Sequence, residues 1–298
     1  MALSTQTQTA AAGSVATGEL TATQVATILV QPLEAASVFL AAGPRIFDTT
    51  GPLRLPKAPR PTDVQFVGEN ELIPEANPDF DEVSLLPSTM KSIKTLTRYS
   101  NELARQSVVS LDQVLKDRLV ADVAAKLDTQ LLSASGDGIT TPQGMFAWAG
   151  TQNVAVGGAL NLDHLLTAWG MALGANVSMA NLKWFLTSGD FVALRKVKDN
   201  TGQYLLQPDP TADGVFRLWG APVVISNRIP NTTGGTPTGR AALADMSQVA
   251  VARDASPSVK LLDQTYGDYD QQAIRVTSRY DVKPLNPQAI VTLTGITR

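Results

Sequence analysis

The stretch Ser110–Gly136, SLDQVLKDRLVADVAAKLDTQLLSASG, leaves this chain few ways to fold. Leu111, Leu115, Leu119, Val123, Leu127 and Leu131 recur every four residues, thickened by Val114, Val120, Ala124 and Leu132. That is an apolar stripe at helical period. Ser110 with Gln113 fits a capping box, and Asp112 puts negative charge in the first turn, where the helix dipole favours it. Lys116, Asp117, Arg118, Asp122, Lys126 and Asp128 are expected on the opposite, polar face. No Gly or Pro intervenes before Gly136, the expected C′ residue. At about 1.5 Å per residue the helix spans roughly 35 Å, enough to cross a whole domain.

What precedes this beam cannot fold by itself. Residues 1–20 are Ala, Thr, Ser, Gln and Gly with one charge, Glu19, and read as an arm that orders only against neighbours. Thr23–Ala42 reads as a helical pair around Pro32, with Val25, Ile28, Leu29, Leu33, Val38 and Phe39 on its buried side. Gly51–Ser100 is Pro-rich (Pro52, Pro56, Pro59, Pro61, Pro74, Pro78, Pro87), which forbids a helix through it. Strand character returns at Val64–Val67, Val83–Leu86 and Ser92–Thr97, predicting a long two-stranded excursion with an irregular tip. Between Pro61 and Met90 there is no Lys or Arg, against Asp63, Glu69, Glu71, Glu75, Asp79, Asp81 and Glu82. So little apolar content cannot build a core, so the excursion must lie on another surface, basic or polar at the point of contact.

The remainder mixes short helices and strands. Leu160–Val177 reads as a helix capped by Asn161, with Leu162, Leu165, Leu166, Trp169 and Leu173 inward. Lys183–Thr187 is a short buried strand, and Ser188 caps a helix over Asp190–Lys198. Phe216–Ile225 is strand, Gly, strand; Asn231–Arg240 is a loop; Ala242–Ala252 is a strand with its turn. Ala273–Tyr280 and Ala289–Gly295 are strands that finish the chain. The elements are segregated rather than alternating, an α+β arrangement without internal repeats. A length of 298 residues allows one large domain or about two ordinary ones.

Few chemistries survive a search of the sequence. With no cysteine there is no disulfide framework, thiolate or zinc–sulfur site. His164 is the single histidine and lies on an amphipathic helix, where it reads as structural. There is no G-x-S-x-G elbow, Walker A sequence or H-E-x-x-H, and Gly136-Asp137-Gly138 follows a helix where a dinucleotide site needs a strand. Asp268 with Asp270, or Asp79, Asp81 and Glu82, lack EF-hand spacing and read as turns or ion pairs. Trp148, Trp169, Trp184 and Trp219 sit at apolar positions and read as core. No catalytic residue, cofactor or metal is therefore expected. A net charge of −3 and a pI near 5.2 exclude a basic nucleic-acid reader. Without a signal peptide or an apolar run of membrane length, the protein is expected to be soluble and intracellular when made. Charged residues are only 17%, which suits a surface largely covered by partners, or simply a chain rich in small residues.

The order of elements, together with five motifs, resembles the HK97-like major capsid proteins of tailed double-stranded DNA phages. VGENELIPEANPDFDEVSLLP (Val67–Pro87) resembles that family's extended loop, with an acidic tip before a Phe-x-x-Val-x-Leu return strand. RYSNELARQS (Arg98–Ser107) is similar to the entry to its spine helix, and SASGDGITTPQGM (Ser133–Met145) to the turn after it. LWGAPVVISNRIP (Leu218–Pro230) resembles the axial-domain strand pair, and RYDVKPLNPQAIVTLTG (Arg279–Gly295) the C-terminal strand. The likeness covers about residues 20–298.

This resemblance implies an α+β fold with an N-arm and helical segment over 1–50 and an E-loop hairpin over 51–98. A P domain follows over 99–145, with its spine at about 111–133, then an axial A domain over 146–264 and returning strands over 265–298. It implies hexamers and pentamers closing into an icosahedral shell around double-stranded DNA, assembled in the bacterial host cytoplasm. Implied partners are a separate scaffolding protein, a portal and decoration proteins, with non-specific DNA contact and no membrane. The inter-subunit tip would comprise Glu69, Glu71, Ile73, Pro74, Glu75, Asp79, Asp81 and Glu82, with Arg98, Arg105, Lys116 and Arg118 as candidate receptors. Some members cross-link through an E-loop lysine before a proline; here Ile73 precedes Pro74, so no such bond is expected. The chain reaches its arm at once, so no large N-terminal scaffolding segment is expected to be removed. Two other readings stay open: an encapsulin-type cargo shell of similar fold, and an enzyme with a carboxylate acid/base site, for which no nucleophile–base pair is visible.

Overall fold

The structure, a computed structural model, describes residues 37–49, 52–57, 66–72, 81–85, 91–102, 111–199, 201–206, 216–231, 238–262 and 265–297. The chain divides into two compact units. One comprises Met1–Glu34, Lys94–Asp122 and Ser258–Thr277, the other Ala35–Ile93, Val123–Pro257 and Ser278–Arg298.

The second unit is organised on a six-stranded sheet. Its strands are β5 (Gln152–Ala155), β6 (Leu182–Leu186), β7 (Arg217–Leu218), β8 (Ala221–Ile225), β9 (Gly239–Asp245) and β12 (Ile290–Ile296), in the order β5-β12-β9-β6-β8-β7. β12 pairs parallel to β5 and antiparallel to β9, and β6 pairs parallel to β8. Both faces are covered, which explains why the central strands read as continuous apolar runs. Ala241 and Leu243 of β9, Trp184 and Leu186 of β6, and Val291 and Leu293 of β12 face one core. Leu165, Ala168 and Ala172 of helix α3 (Leu162–Gly174) and Phe191 and Leu194 of helix α4 (Ser188–Arg195) close that core. The alternate residues Phe185, Ala242, Ala244 and Ile290 face a second core. There they meet Phe39 of the short helix α1 (Val38–Ala41), and Leu127 and Leu131 of the long helix α2 (Leu111–Leu131), together with Leu132 just beyond it.

Three further pairings complete the described ladders. β1 (Arg45–Asp48) pairs parallel with β10 (Val249–Leu262) from Arg45↔Ala250 to Asp48↔Arg253. β2 (Leu53–Lys57) pairs antiparallel with β3 (Asp81–Leu85). β4 (Ser92–Ser100) lies beside β11 (Gln271–Pro284) at the edge of a four-stranded sheet ordered β1-β10-β11-β4.

Several sequence expectations need correction. The long helix exists, but it ends at Leu131, and Gly136 is not its C′ residue. Gly136 and Gly144 serve the loop that folds back instead. A Cβ on Gly136, at φ +130, would run into the Pro142 carbonyl, and one on Gly144 into that of Ser133. Asp128 was expected on the polar face and is wholly buried. Phe66 and Val67 are not in a strand; the partner of β3 lies earlier, at Leu53–Lys57, where Leu and Pro hid the alternation. On α3, Leu165, Ala168 and Ala172 are buried and Leu162 and Trp169 pack against the same core as expected, whereas Leu166 and Leu173 point to solvent. Asn161 caps α3 as expected, accepting from the His164 N–H at 2.9 Å, and His164 is half-buried. Thr187, not Ser188, caps α4, which ends at Arg195. Ala242–Ala252 is two strands, β9 and β10, joined by a 3-10 turn over Met246–Gln248. Trp148 and Trp184 are core, but Trp219 is 42% exposed at the β7–β8 turn with φ +48. The Ser110–Gln113 capping box, the strand residues Val64 and Gln65, and residues 1–36 lie outside the described residues.

Candidate functional site

A ladder and one apolar corner hold the β2–β3 excursion. The register runs from Leu53↔Leu85 to Lys57↔Asp81. Leu85 is fully buried and, with Leu53, Leu55 and Phe47, packs on Ala250 and Ala252 of β10. Burying one leucine contributes about 1.5–3 kcal/mol, and an isolated two-stranded ribbon is marginal in water. Pro56 costs no central hydrogen bond, since each strand of a two-stranded sheet has a free edge.

Farther out, Gly68–Glu71 forms a turn. The Gly68 N–H donates to the Glu71 carboxylate at 3.1 Å, the Glu71 N–H donates to the Gly68 carbonyl at 3.3 Å, and Asn70 adopts φ +68. Glu69 and Glu71 are exposed. Flanking them, Phe66 and Leu72 are 110% and 93% exposed. Two large apolar side chains held in water beside carboxylates are what a loop carries when a partner surface will cover it.

The remaining tip residues divide. Ile73, Pro74, Glu75 and Asp79 lie outside the described residues. Asp81 and Glu82 belong to the stem rather than the tip: Asp81 stands opposite Lys57, and the Glu82 carboxylate lies 3.5 Å from Arg54. The ladder simply reaches farther along the excursion than the acidic run suggested.

Among the candidate receptors, Arg98 is exposed on β4 with its guanidinium 4.6 Å from the centre of the Tyr266 ring. Arg118 is engaged along α2, 3.0 Å from Asp122 one turn on, both about half exposed. Lys116 lies within α2, its side chain outside what is described, and Arg105 falls outside the described residues.

Two buried charge nodes escaped sequence reasoning. The Asp128 carboxylate accepts from the Ser37 hydroxyl, the Val38 N–H at 2.7 Å and the Phe39 N–H at 3.2 Å, with Arg228 at 3.7 Å. The long helix thereby fixes the first turn of α1, the point from which the N-terminal residues depart. The signal was present: Asp128 lies four residues from both Ala124 and Leu132, on an apolar row. Lys91, 3% exposed, lies 2.5 Å from the fully buried Asp281 and anchors the chain where it returns from the excursion into β4.

Among the described residues no three His, Asp or Glu side chains are grouped to hold a metal ion, and no helix is long and apolar enough to cross a membrane. Residues 17–295 match the phage capsid family. The chain belongs to the phage capsid family. No curated protein matches it significantly. Its fold is similar to that of a solved capsid of an empty GTA particle, with a TM-score of 0.71 at 19% identity over 88% of this chain and 91% of that one. It is also similar to a structure from Mycobacterium phage Bobi, with a TM-score of 0.70 at 16% identity over 93% and 98% of the two chains. A structure from Microbacterium phage Oxtober96 gives 0.68 at 14% identity over 93% and 99%. The α+β architecture is thus the HK97-like capsid fold, with the long helix α2 as its spine. The protein is a major capsid protein, a structural component of the virion, and the encapsulin-type reading is not favoured.

Proposed function

We propose that this capsid protein assembles as hexamers and pentamers into an icosahedral shell around double-stranded DNA, held between subunits by the E-loop and the N-terminal arm. The observation that supports this most is the tip: Phe66 and Leu72 stand in water on a stem that buries one leucine completely. Such a segment is stabilised only when another surface covers it. In this reading α2 and the strands around it form the P domain, and the six-stranded sheet with α3 and α4 forms the axial A domain.

The role is structural, not enzymatic. A separate scaffolding protein, a portal and decoration proteins act beside it, in the cytoplasm of the bacterial host. A mildly acidic chain suits a container, since many phosphate contacts would make DNA release strongly salt-dependent and costly. Because Ile73 stands where a cross-linking lysine would, the subunits stay covalently separate; a denaturing gel of assembled particles should show monomer only, and a ladder would refute this.

The test is to express the chain with the products of its neighbouring genes and treat the sedimented particles with nuclease. Protected double-stranded DNA inside closed particles is expected. Closed particles that instead retain a tagged enzyme and no DNA would support the encapsulin-type alternative.

A further inference from the structure

Helix α4 runs straight into a small hairpin, and the junction is basic. The Leu205 N–H donates to the Val197 carbonyl at 3.0 Å and Lys198 bridges to Tyr204, so the chain turns back within a few residues. Arg195 ends the helix, where the dipole favours a cation, and Lys196 and Lys198 follow at once. Three Cα steps of about 3.8 Å keep the backbones of these cations within about 11 Å of one another. Two are held on aromatic rings. The Arg195 guanidinium lies 5.9 Å from the centre of the Phe191 ring and 5.5 Å from that of Phe216, and the Lys198 ammonium lies 4.8 Å from that of Tyr204. Phe191 and Phe216 are packed together, their centres 4.8 Å apart. The carboxylates nearby in sequence are already engaged. Asp190 is buried and accepts from the Thr187 hydroxyl at 2.7 Å, and Asp199 accepts from the N–H groups of Thr201 at 2.8 Å and Gln203 at 2.9 Å. Among the described residues no carboxylate lies within ion-pair distance of Arg195, Lys196 or Lys198, in a chain whose net charge is −3.

We infer that this basic knuckle, Arg195 with Lys196 and Lys198, is where the chain touches the phosphate backbone of double-stranded DNA. The inference rests on the shell reading above, and it names the residues that meet the enclosed duplex. Charge complementarity favours this occupant. A duplex carries one negative charge per about 1.7 Å of its axis, so three cations within about 11 Å find phosphates without needing a shaped partner. A guanidinium held against rings keeps its edge N–H groups for phosphate oxygens, and the Tyr204 ring steadies the Lys198 ammonium in the same way. Val192 and Leu205, each about half exposed, flank the knuckle singly, too little for the apolar core that a protein partner requires. Three contacts per subunit are also few, so the hold on each stretch of duplex stays weak and yields to salt.

Fluorescence anisotropy of a labelled duplex of about 30 base pairs, mixed with the unassembled full-length chain, tests this. At about 50 mM salt the wild type should bind, and log K should fall with log salt at a slope of about −2.7, roughly −0.9 for each of three phosphates. Arg195→Gln, Lys196→Gln and Lys198→Gln together should weaken binding about tenfold or more and flatten that slope. Lys196→Gln with Lys198→Gln, both at exposed positions and leaving Arg195 on its rings, should give an intermediate loss with unchanged melting. Arg45→Gln, Lys94→Gln and Arg98→Gln, all exposed, remove the same charge elsewhere and should bind as the wild type does. No binding by the wild type, or equal losses in the two triple variants, would overturn the inference. A glutamate-rich peptide that binds tighter than the duplex, and through the same three residues, would assign the knuckle to an acidic protein segment instead. Assembled particles without nuclease-protected DNA would reject the shell reading itself, whatever the anisotropy shows.

Discussion

Single residues in this protein bear weight out of proportion to their number, and Asp128 is the clearest. Replacing it by alanine removes the acceptor for two backbone N–H groups and a hydroxyl in a dry site and leaves Arg228 without the carboxylate 3.7 Å away. Asp128→Ala should cost about 3 kcal/mol or more in urea unfolding of the unassembled chain, and a loss below about 1 kcal/mol would contradict the node. Lys91→Met should cost about 3–5 kcal/mol, because it takes the ammonium away from the fully buried Asp281 carboxylate 2.5 Å from it. Adding Asp281→Asn should recover part of that loss. At the surface, the Thr140 hydroxyl, the N–H groups of Thr141 and Ile139 and the Thr141 hydroxyl all donate to Asp137, holding its carboxyl well below the usual carboxylate range. Its contribution to stability is therefore complete above the unfolded value near 3.9 and fades as pH falls through the depressed folded value. The loss in melting temperature caused by Asp137→Ala should be constant from pH 7 to about pH 5 and shrink below about pH 4. A loss that persists undiminished at about pH 2 would contradict this.

At the scale of elements, the excursion separates folding from assembly. Glu69→Lys with Glu71→Lys should leave the melting of the unassembled chain unchanged, since both side chains are exposed, yet weaken particle formation most at low salt. Equal yield in low salt would argue against electrostatic docking. Leu85→Ala, by contrast, should cost about 2–5 kcal/mol and loosen the whole stem. These elements also show what the sequence discloses. Helix α2 was legible because a four-residue repeat without Gly or Pro admits one structure, and β3, β4, β6, β8 and β12 because β-branched and aromatic residues cluster there. Strand β2 was hidden, since LRLPK carries Pro56 and two cations, and its pairing depends on Leu85, about thirty residues later. The split of Ala242–Ala252 was hidden by a run apolar on both faces, which periodicity cannot divide. At the candidate site, the exposed acids Glu69 and Glu71 were readable from composition. The stem position of Asp81 and Glu82 was not, because a charge count cannot see where a ladder stops.

On the scale of the whole molecule, a chain with a well-packed two-faced core carries one weakly supported, acid-tipped excursion, which in the proposed shell a neighbouring copy covers. Burial of Trp184, Phe185, Leu186, Leu243 and Leu293 makes the sheet self-sufficient, whereas Phe66 and Leu72 stand in water. Low charge over the chain fits a surface covered many times over by copies. Light scattering with negative-stain imaging of the purified chain, alone and with its neighbouring gene products, tests this directly. Closed polyhedra of megadalton mass are predicted in at least one condition. A stable 31.6 kDa monomer in both would mean that no copy covers Phe66 and Leu72, and would contradict the account.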